Sequence, residues 1–156
     1  MDRGMKATLF ALFVALLMVG CGEPDLSDPD VVEDATADAV DWSKLRVRDG
    51  VTYLPNEETP FTGRAEGFHD NGQKQGEGNF KDGKEVGLET WWYSTGQKDS
   101  EHTYKGGKLV TAVVWKPNGE KCPLTNLVAG NGVVVEYNED GTEFGRITYK
   151  DGVEVD

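Results

Sequence analysis

The chain has 156 residues, 28% of them charged, and a formal net charge of −12. An acidic surface of that size repels phosphate backbones, which weighs against nucleic acid as a partner. The charge is not spread evenly, and its distribution divides the chain into parts.

Arg3 and Lys6 precede an apolar run from Ala7 to Val19 in which Thr8 is the only polar residue, and the run stops at Met18-Val19-Gly20-Cys21. Thirteen residues are too few to cross a bilayer of about 30 Å as a helix, so residues 1–20 read as a secretory signal outside the fold. Met1 and Met5 both serve as starts under this reading, since Lys6 alone supplies a basic end. The junction resembles the lipobox of bacterial lipoproteins. That resemblance implies cleavage between Gly20 and Cys21 and acylation of Cys21 as the first mature residue. Several acyl chains, at about 0.8 kcal/mol per buried methylene, give stable anchoring. The expected location is the bacterial cell envelope, lipid-anchored in the outer membrane or at the cell surface ahead of the inner membrane. With Cys21 lipidated, Cys122 has no partner for a disulfide within the chain. Nothing basic lies near Cys122 in the sequence, so it reads as a small sheet residue rather than a nucleophile.

Residues 21–43 read as an acidic, flexible tether. Gly22 to Asp41 holds eight carboxylates and no Lys or Arg, with Pro24 and Pro29 and little large apolar content. Such a coil reaches roughly 25 Å. Residues 44–156 form the folded domain, and from Trp42 onward 19 acidic and 14 basic side chains leave −5.

The domain is a repeat. Gly72, Gly96, Gly119 and Gly141 each close a turn, with Phe68, Trp92, Trp115 and Tyr137 four residues before and Phe80, Tyr104, Leu127 and Tyr149 eight residues after. A unit of 22 to 24 residues with a glycine turn at each half is one β-hairpin and its link to the next. A two-residue loop would put Thr95 at positive φ, which a β-branched residue resists, whereas a type I turn followed by a left-handed glycine accepts both Thr95 and Pro117. Three-residue hairpin loops are therefore expected, with His69 paired to Gln73 and even offsets from the glycine sharing one face. That face collects Phe68, Phe80, Leu88, Trp92, Tyr104, Trp115, Leu127, Val133, Val135, Tyr137, Ile147 and Tyr149 as the core. Small residues at Gly76, Ser100, Pro123 and Gly145 leave room beside the rings. The odd interval of 23 residues from Gly96 to Gly119 predicts a shortened, two-residue link loop at Gly106-Gly107, where the preceding copy has Asp82-Gly83.

The stretches "PFTGRAEGFHDNGQKQGEGNFKDGKEVG" and "LETWWYSTGQKDSEHTYKGGK", with the weaker "VVWKPNGEK" and "VEYNEDGTEFGRITYKDGV", resemble the variant MORN (membrane occupation and recognition nexus) repeat of bacterial proteins often labelled YwqK-type antitoxins. The resemblance covers about Val47 to Gly152, and Cys122 to Asn131 departs from the pattern. It implies an all-β fold of antiparallel β-hairpin repeats, an elongated and twisted meander sheet. By its label it also implies an antitoxin or immunity-like role as an alternative to a binding or scaffold module.

Candidate sites follow from the register. Trp91, Tyr93, Val114, Cys122 and Phe144 fall on the odd, otherwise polar face, with Trp91 opposite Asp99. Trp91, Tyr93, Val114 and Phe144 are the candidate partner-binding row, tryptophan and tyrosine being frequent anchors for a protein partner. The two histidines, His69 and His102, are placed on opposite faces, so no metal pair is expected, and Glu136 to Ile147 lacks the closing glutamate of a calcium loop. Glu77 and Glu101 recur with the repeat and read as a solvated face. No cofactor, metal or catalytic residue is expected, and the protein reads as a non-enzyme. Lys81, Lys105 and Lys150 lie along one edge and raise a second alternative, contact with anionic lipid.

Overall fold

The computed structural model describes residues 38–155. The signal, the cleavage site at Gly20, Cys21 and most of the tether lie outside the described residues. The described chain runs β1 (Val40–Asp41), a 3-10 turn (Trp42–Lys44), β2 (Arg46–Arg48), β3 (Val51–Tyr53), β4 (Gly63–Phe68), β5 (Lys74–Lys81), β6 (Lys84–Trp92), β7 (Lys98–Lys105), β8 (Lys108–Val114), β9 (Gly132–Tyr137), β10 (Glu143–Lys150) and β11 (Val153–Val155). Strands β4 to β8 form an antiparallel meander with β1 added in parallel beside β4, while β9 to β11 form a three-stranded sheet and β2–β3 a hairpin. The fold is the all-β hairpin repeat that the pattern predicts.

All four hairpin loops have three residues. The N–H groups of His69, Tyr93, Lys116 and Asn138 bond the carbonyls of Gln73, Gln97, Glu120 and Thr142 at 2.8–2.9 Å. The closing glycines have φ of 81–84°, the left-handed region in which a glycine meets no steric resistance. The middle residue of each loop completes it: the side-chain oxygens of Asn71, Thr95, Asn118 and Asp140 accept from the N–H two residues on.

The link loops correct one expectation. Lys81 pairs with Lys84 just as Lys105 pairs with Lys108. Asp82-Gly83 has positive φ at both residues, as Gly106-Gly107 does, so both are two-residue loops and the second is not shorter. Aspartate tolerates the left-handed conformation, which is why Asp82 stands where the next copy has Gly106. The missing residue comes out of a strand instead. Eleven residues separate hairpin glycine from link glycine in both copies, but 13 separate Gly83 from Gly96 and only 12 separate Gly107 from Gly119. Strand β6 carries the surplus as a wide irregularity around Gly87, whose φ is 70°.

Bulges also overturn the assignment of faces. The pairing of β4 with β5 passes from Phe68↔Lys74 to Gly67↔Gly76, that of β6 with β7 from Trp92↔Lys98 to Trp91↔Ser100, and that of β9 with β10 from Tyr137↔Glu143 to Glu136↔Gly145. Gln75, Asp99 and Phe144 are the extra residues. Each shifts the strand after the hairpin by one, which moves its side chains to the other face. Trp92 and Tyr104 therefore lie on opposite faces although the loop assignment holds, and Trp91 stands opposite Ser100 rather than Asp99. Phe68 and Leu88, placed by sequence in the core, are each 52% exposed.

The inner face of the meander instead carries the row Gly67, Gly76, Trp91, Ser100 and Val114, each paired with the next. Trp42 lies over the glycines, and its ring stacks on Trp91 at 4.6 Å between centroids. Val40 and Trp42 thus belong to the packed domain, inside the segment whose composition reads as tether: they are apolar residues that find a glycine floor, and with Leu45 and Leu54 they pack around Phe61, Ala65 and Phe80. The larger core lies toward the C-terminus, where Leu109, Ala112, Val114, Cys122, Leu127, Val134 and Val135 are buried together and Tyr104, Val133, Tyr137 and Tyr149 pack against them. Residues 116–131, between β8 and β9, form no strand, which agrees with the departure of that copy from the pattern. The segment is still held, by Asn126 N–H to Val133 O and by the Thr125 hydroxyl accepting from Val135 N–H.

The two kinds of loop occupy separate edges. Link turns are stitched by backbone bonds, Gly107 N–H to Glu85 O, Gly130 N–H to Val110 O and Gly152 N–H to Gly130 O. Hairpin turns are stitched by side chains, with Asn71 donating to Ser94 O. Ser94 in turn donates from both N–H and hydroxyl to the Glu139 carboxylate, joining the second hairpin turn to the fourth.

Candidate functional site

The candidate row divides once side chains are placed. Tyr93 and Val114 are not surface residues: Tyr93 is 4% exposed, with its hydroxyl donating to Trp115 O at 2.8 Å, and Val114 is 2% exposed in the main core. Val114 is aligned with Trp91 through Ser100 on the inner face, and Tyr93 follows Trp91 by two residues. Cys122, also in that row, is buried, with Sγ 3.3 Å from the Tyr137 hydroxyl. Phe144 is the opposite case, a bulged residue 70% exposed. Trp91 is half-buried, one partner being Trp42.

Three of the four nevertheless meet. Trp91, Val114 and Phe144 line one cleft of about 250 Å³ with Asp99, Ser100, His102, Glu136 and Tyr137, where the β9–β10 hairpin faces the inner side of β6 to β8. Sequence reasoning missed five of these eight because the unbulged register sent Ser100 and His102 to the other face and gave β9–β10 no reason to lie near β7. The recurrence of a small residue four places after each hairpin glycine was the available signal for an inner wall.

The electrostatics of the cleft are one-signed. Burial holds the Asp99 carboxyl above the ordinary aspartate range, and Glu136 and Glu139 push in the same direction. Tyr93 offers Asp99 partial relief, yet its single proton is also directed at Trp115 O. Deeper in, His102 Nδ1 lies 3.4 Å from the Glu89 carboxylate. His102 Nε2 is buried and has no hydrogen-bond partner among the described residues. Glu85 adds a further carboxyl, pushed up to about 7 by burial first and by Glu89 second.

The outer face differs in kind. Its charges are compensated: Arg64 and Lys74 bridge Glu77 at 2.6 and 2.7 Å, Lys74 also reaches Glu66 at 3.2 Å, and Lys98 pairs with Glu101. Glu77 and Glu101 are thus members of surface ion pairs. His69 bonds Trp92 O through Nε2. Among the described residues no group of three or more His, Cys, Asp or Glu is placed to hold a metal ion, and no helix is long and apolar enough to cross a membrane.

Hairpins recurring every 22 to 24 residues, with one glycine turn at each edge and small residues on the inner face, define a β-hairpin repeat protein. Residues 61–82 and 85–105 match the family described as MORN repeat variant, so the chain carries two adjacent MORN-type repeats. Repeats of this class generally mediate binding to proteins or membranes. No curated protein and no solved structure matches the chain.

Proposed function

We propose that the protein is a non-enzymatic binding module, anchored in the bacterial envelope by lipid on Cys21, that takes a protein partner in the cleft between β6–β8 and β9–β10. The observation that supports this most is the convergence of Trp91 and Phe144, from elements more than 50 residues apart, on one concave surface beside the carboxylates of Asp99 and Glu136. An aromatic exposed at the rim of a partly apolar cleft is the usual form of a binding anchor. Cys21 and the acidic segment after it would hold this surface at a distance from the membrane.

The experiment is recovery of partners from envelope extracts with the full lipoprotein. Phe144→Ala should abolish recovery and Leu88→Ala, on the outer face, should leave it intact; equal recovery by both variants would sink the assignment of the cleft. Mass spectrometry of the mature chain should find acyl groups on Cys21, and an unmodified amino terminus elsewhere would remove the anchor. An antitoxin or immunity-like role is the case in which the recovered partner is a toxin whose effect the protein cancels.

A further inference from the structure

We infer that the cleft is built for a basic side chain, an arginine or lysine presented by the protein partner. The inference rests on the cleft being the binding surface and specifies what enters it.

Three observations carry it. First, the lining carries the carboxylates of Asp99 and Glu136, and none of its eight residues is Lys or Arg. Glu89 facing His102 Nδ1 favours the tautomer with its proton on that nitrogen, which leaves Nε2 as a bare acceptor. That atom is buried and unbonded among the described residues, an arrangement costly to a folded protein unless something donates to it. Ser100, directly opposite Trp91 in the sheet, adds a hydroxyl oxygen.

Second, the walls are aromatic. Trp91 and Phe144 present ring surface, and a cation against a ring face is attracted by the negative face of the ring. Stacking on Trp42, at an interplanar angle of 27°, holds the Trp91 ring in place before any guest arrives.

Third, the contrast within the molecule is informative. On the outer face the glutamates have their own lysines and arginines, and Lys98 already lies over the Trp115 ring at 5.4 Å. The same chain that pairs acids with lysine and arginine outside lines the cleft around Asp99 and Glu136 with neither. A guanidinium or ammonium with several N–H donors would satisfy the carboxylates, the imidazole nitrogen and the ring faces together.

The test is a titration of the full chain in detergent, followed by backbone amide shifts at Ser100 and His102, with acetyl-Gly-Arg-Gly-amide, its lysine counterpart and its neutral citrulline counterpart. Spermidine serves as the probe for a free amine. Saturable shifts with the arginine or lysine peptide are expected, with citrulline at least about tenfold weaker, which corresponds to about 1.4 kcal/mol. Asp99→Asn and Glu136→Gln, both isosteric and checked for unchanged melting, should each weaken the peptide at least about tenfold. Equal binding of citrulline, shifts elsewhere than at Ser100 and His102, or indifference to both variants would overturn the inference. Spermidine binding more tightly than either peptide would overturn the protein source. If no basic peptide binds while Phe144→Ala still abolishes partner recovery, the preference for a cation fails and the binding surface stands. If Phe144→Ala leaves recovery unchanged, the surface itself is wrong.

Discussion

The first two repeats, β4 to β7, and the C-terminal part, β8 to β11, use the same turn chemistry to different ends. In the first part the inner face is floored by Ala65, Gly67, Gly76 and Gly78, and its packing comes from a visitor, Trp42, supplied by the chain before the repeats. In the second part the repeat itself supplies the core, with Leu109, Val114, Val134 and Val135 almost wholly buried. The family pattern covers only the first part, residues 61–82 and 85–105. The comparison teaches that the recurrent residues encode geometry, namely loops, bulges and clearance, while stability is concentrated where the recurrence fades. The cleft lies between the two parts and draws on both.

The comparison can be broken at its strongest point first. Leu109→Ala removes a side chain that is 2% exposed at the centre of the C-terminal core and should cost about 2–5 kcal/mol. Chemical denaturation checks it; a loss no larger than that of Phe61→Ala in the smaller cluster would place the stability of the two parts on an equal footing.

A second, smaller effect probes the borrowed packing. A Cβ at Gly76 would overlap the Trp42 ring and approach Trp91 to 2.8 Å, so Gly76→Ala should destabilise by about 1–3 kcal/mol through overpacking. In a Trp42→Ala background the same change should cost markedly less, because the chief obstacle is gone. Thermal melting of the four proteins in this cycle gives the coupling, and additivity would mean that Trp42 does not occupy the glycine floor.

The smallest expected effect concerns the Glu85 carboxyl, beside the link loops. Glu85 titrates near 7 in the fold against an ordinary glutamate value of 4.5, so between those pH values the folded state keeps a proton that the unfolded chain releases. Stability therefore falls as pH rises through this window and the penalty is complete above it. Because solvent reaches part of the group, about 1–2 kcal/mol is the expected size. Glu85→Gln should raise the melting temperature at pH 8 and leave it unchanged at pH 4; the same gain at both would assign the effect to packing.

Much of this architecture was legible in residue order. Thr95 and Pro117 selected the three-residue hairpin loop, and all four copies have it. Gly106-Gly107 announced a two-residue link loop, and the inference failed only in denying the same loop to Asp82-Gly83, since aspartate is among the few side chains that tolerate positive φ. The faces were not legible, because a bulge adds a residue without a dedicated residue type. Gln75, Asp99 and Phe144 share no chemistry, and each reverses the side-chain alternation after it. Trp91 and Phe144 were found as candidates from an incorrect register, whereas His102 and Glu136 emerge only when the bulged register and the C-terminal sheet are in place. Trp42 was hidden by the acidic composition around it.

The central claim is that the inner cleft, not the outer face, meets the partner. A photo-activatable phenylalanine analogue placed at Phe144, and separately at Phe68, tests it directly, since both rings are exposed, at 70% and 52%. Irradiation of cells carrying the full lipoprotein should yield a discrete cross-linked product from position 144 and none from position 68. A product from position 68 with none from position 144 would contradict the account.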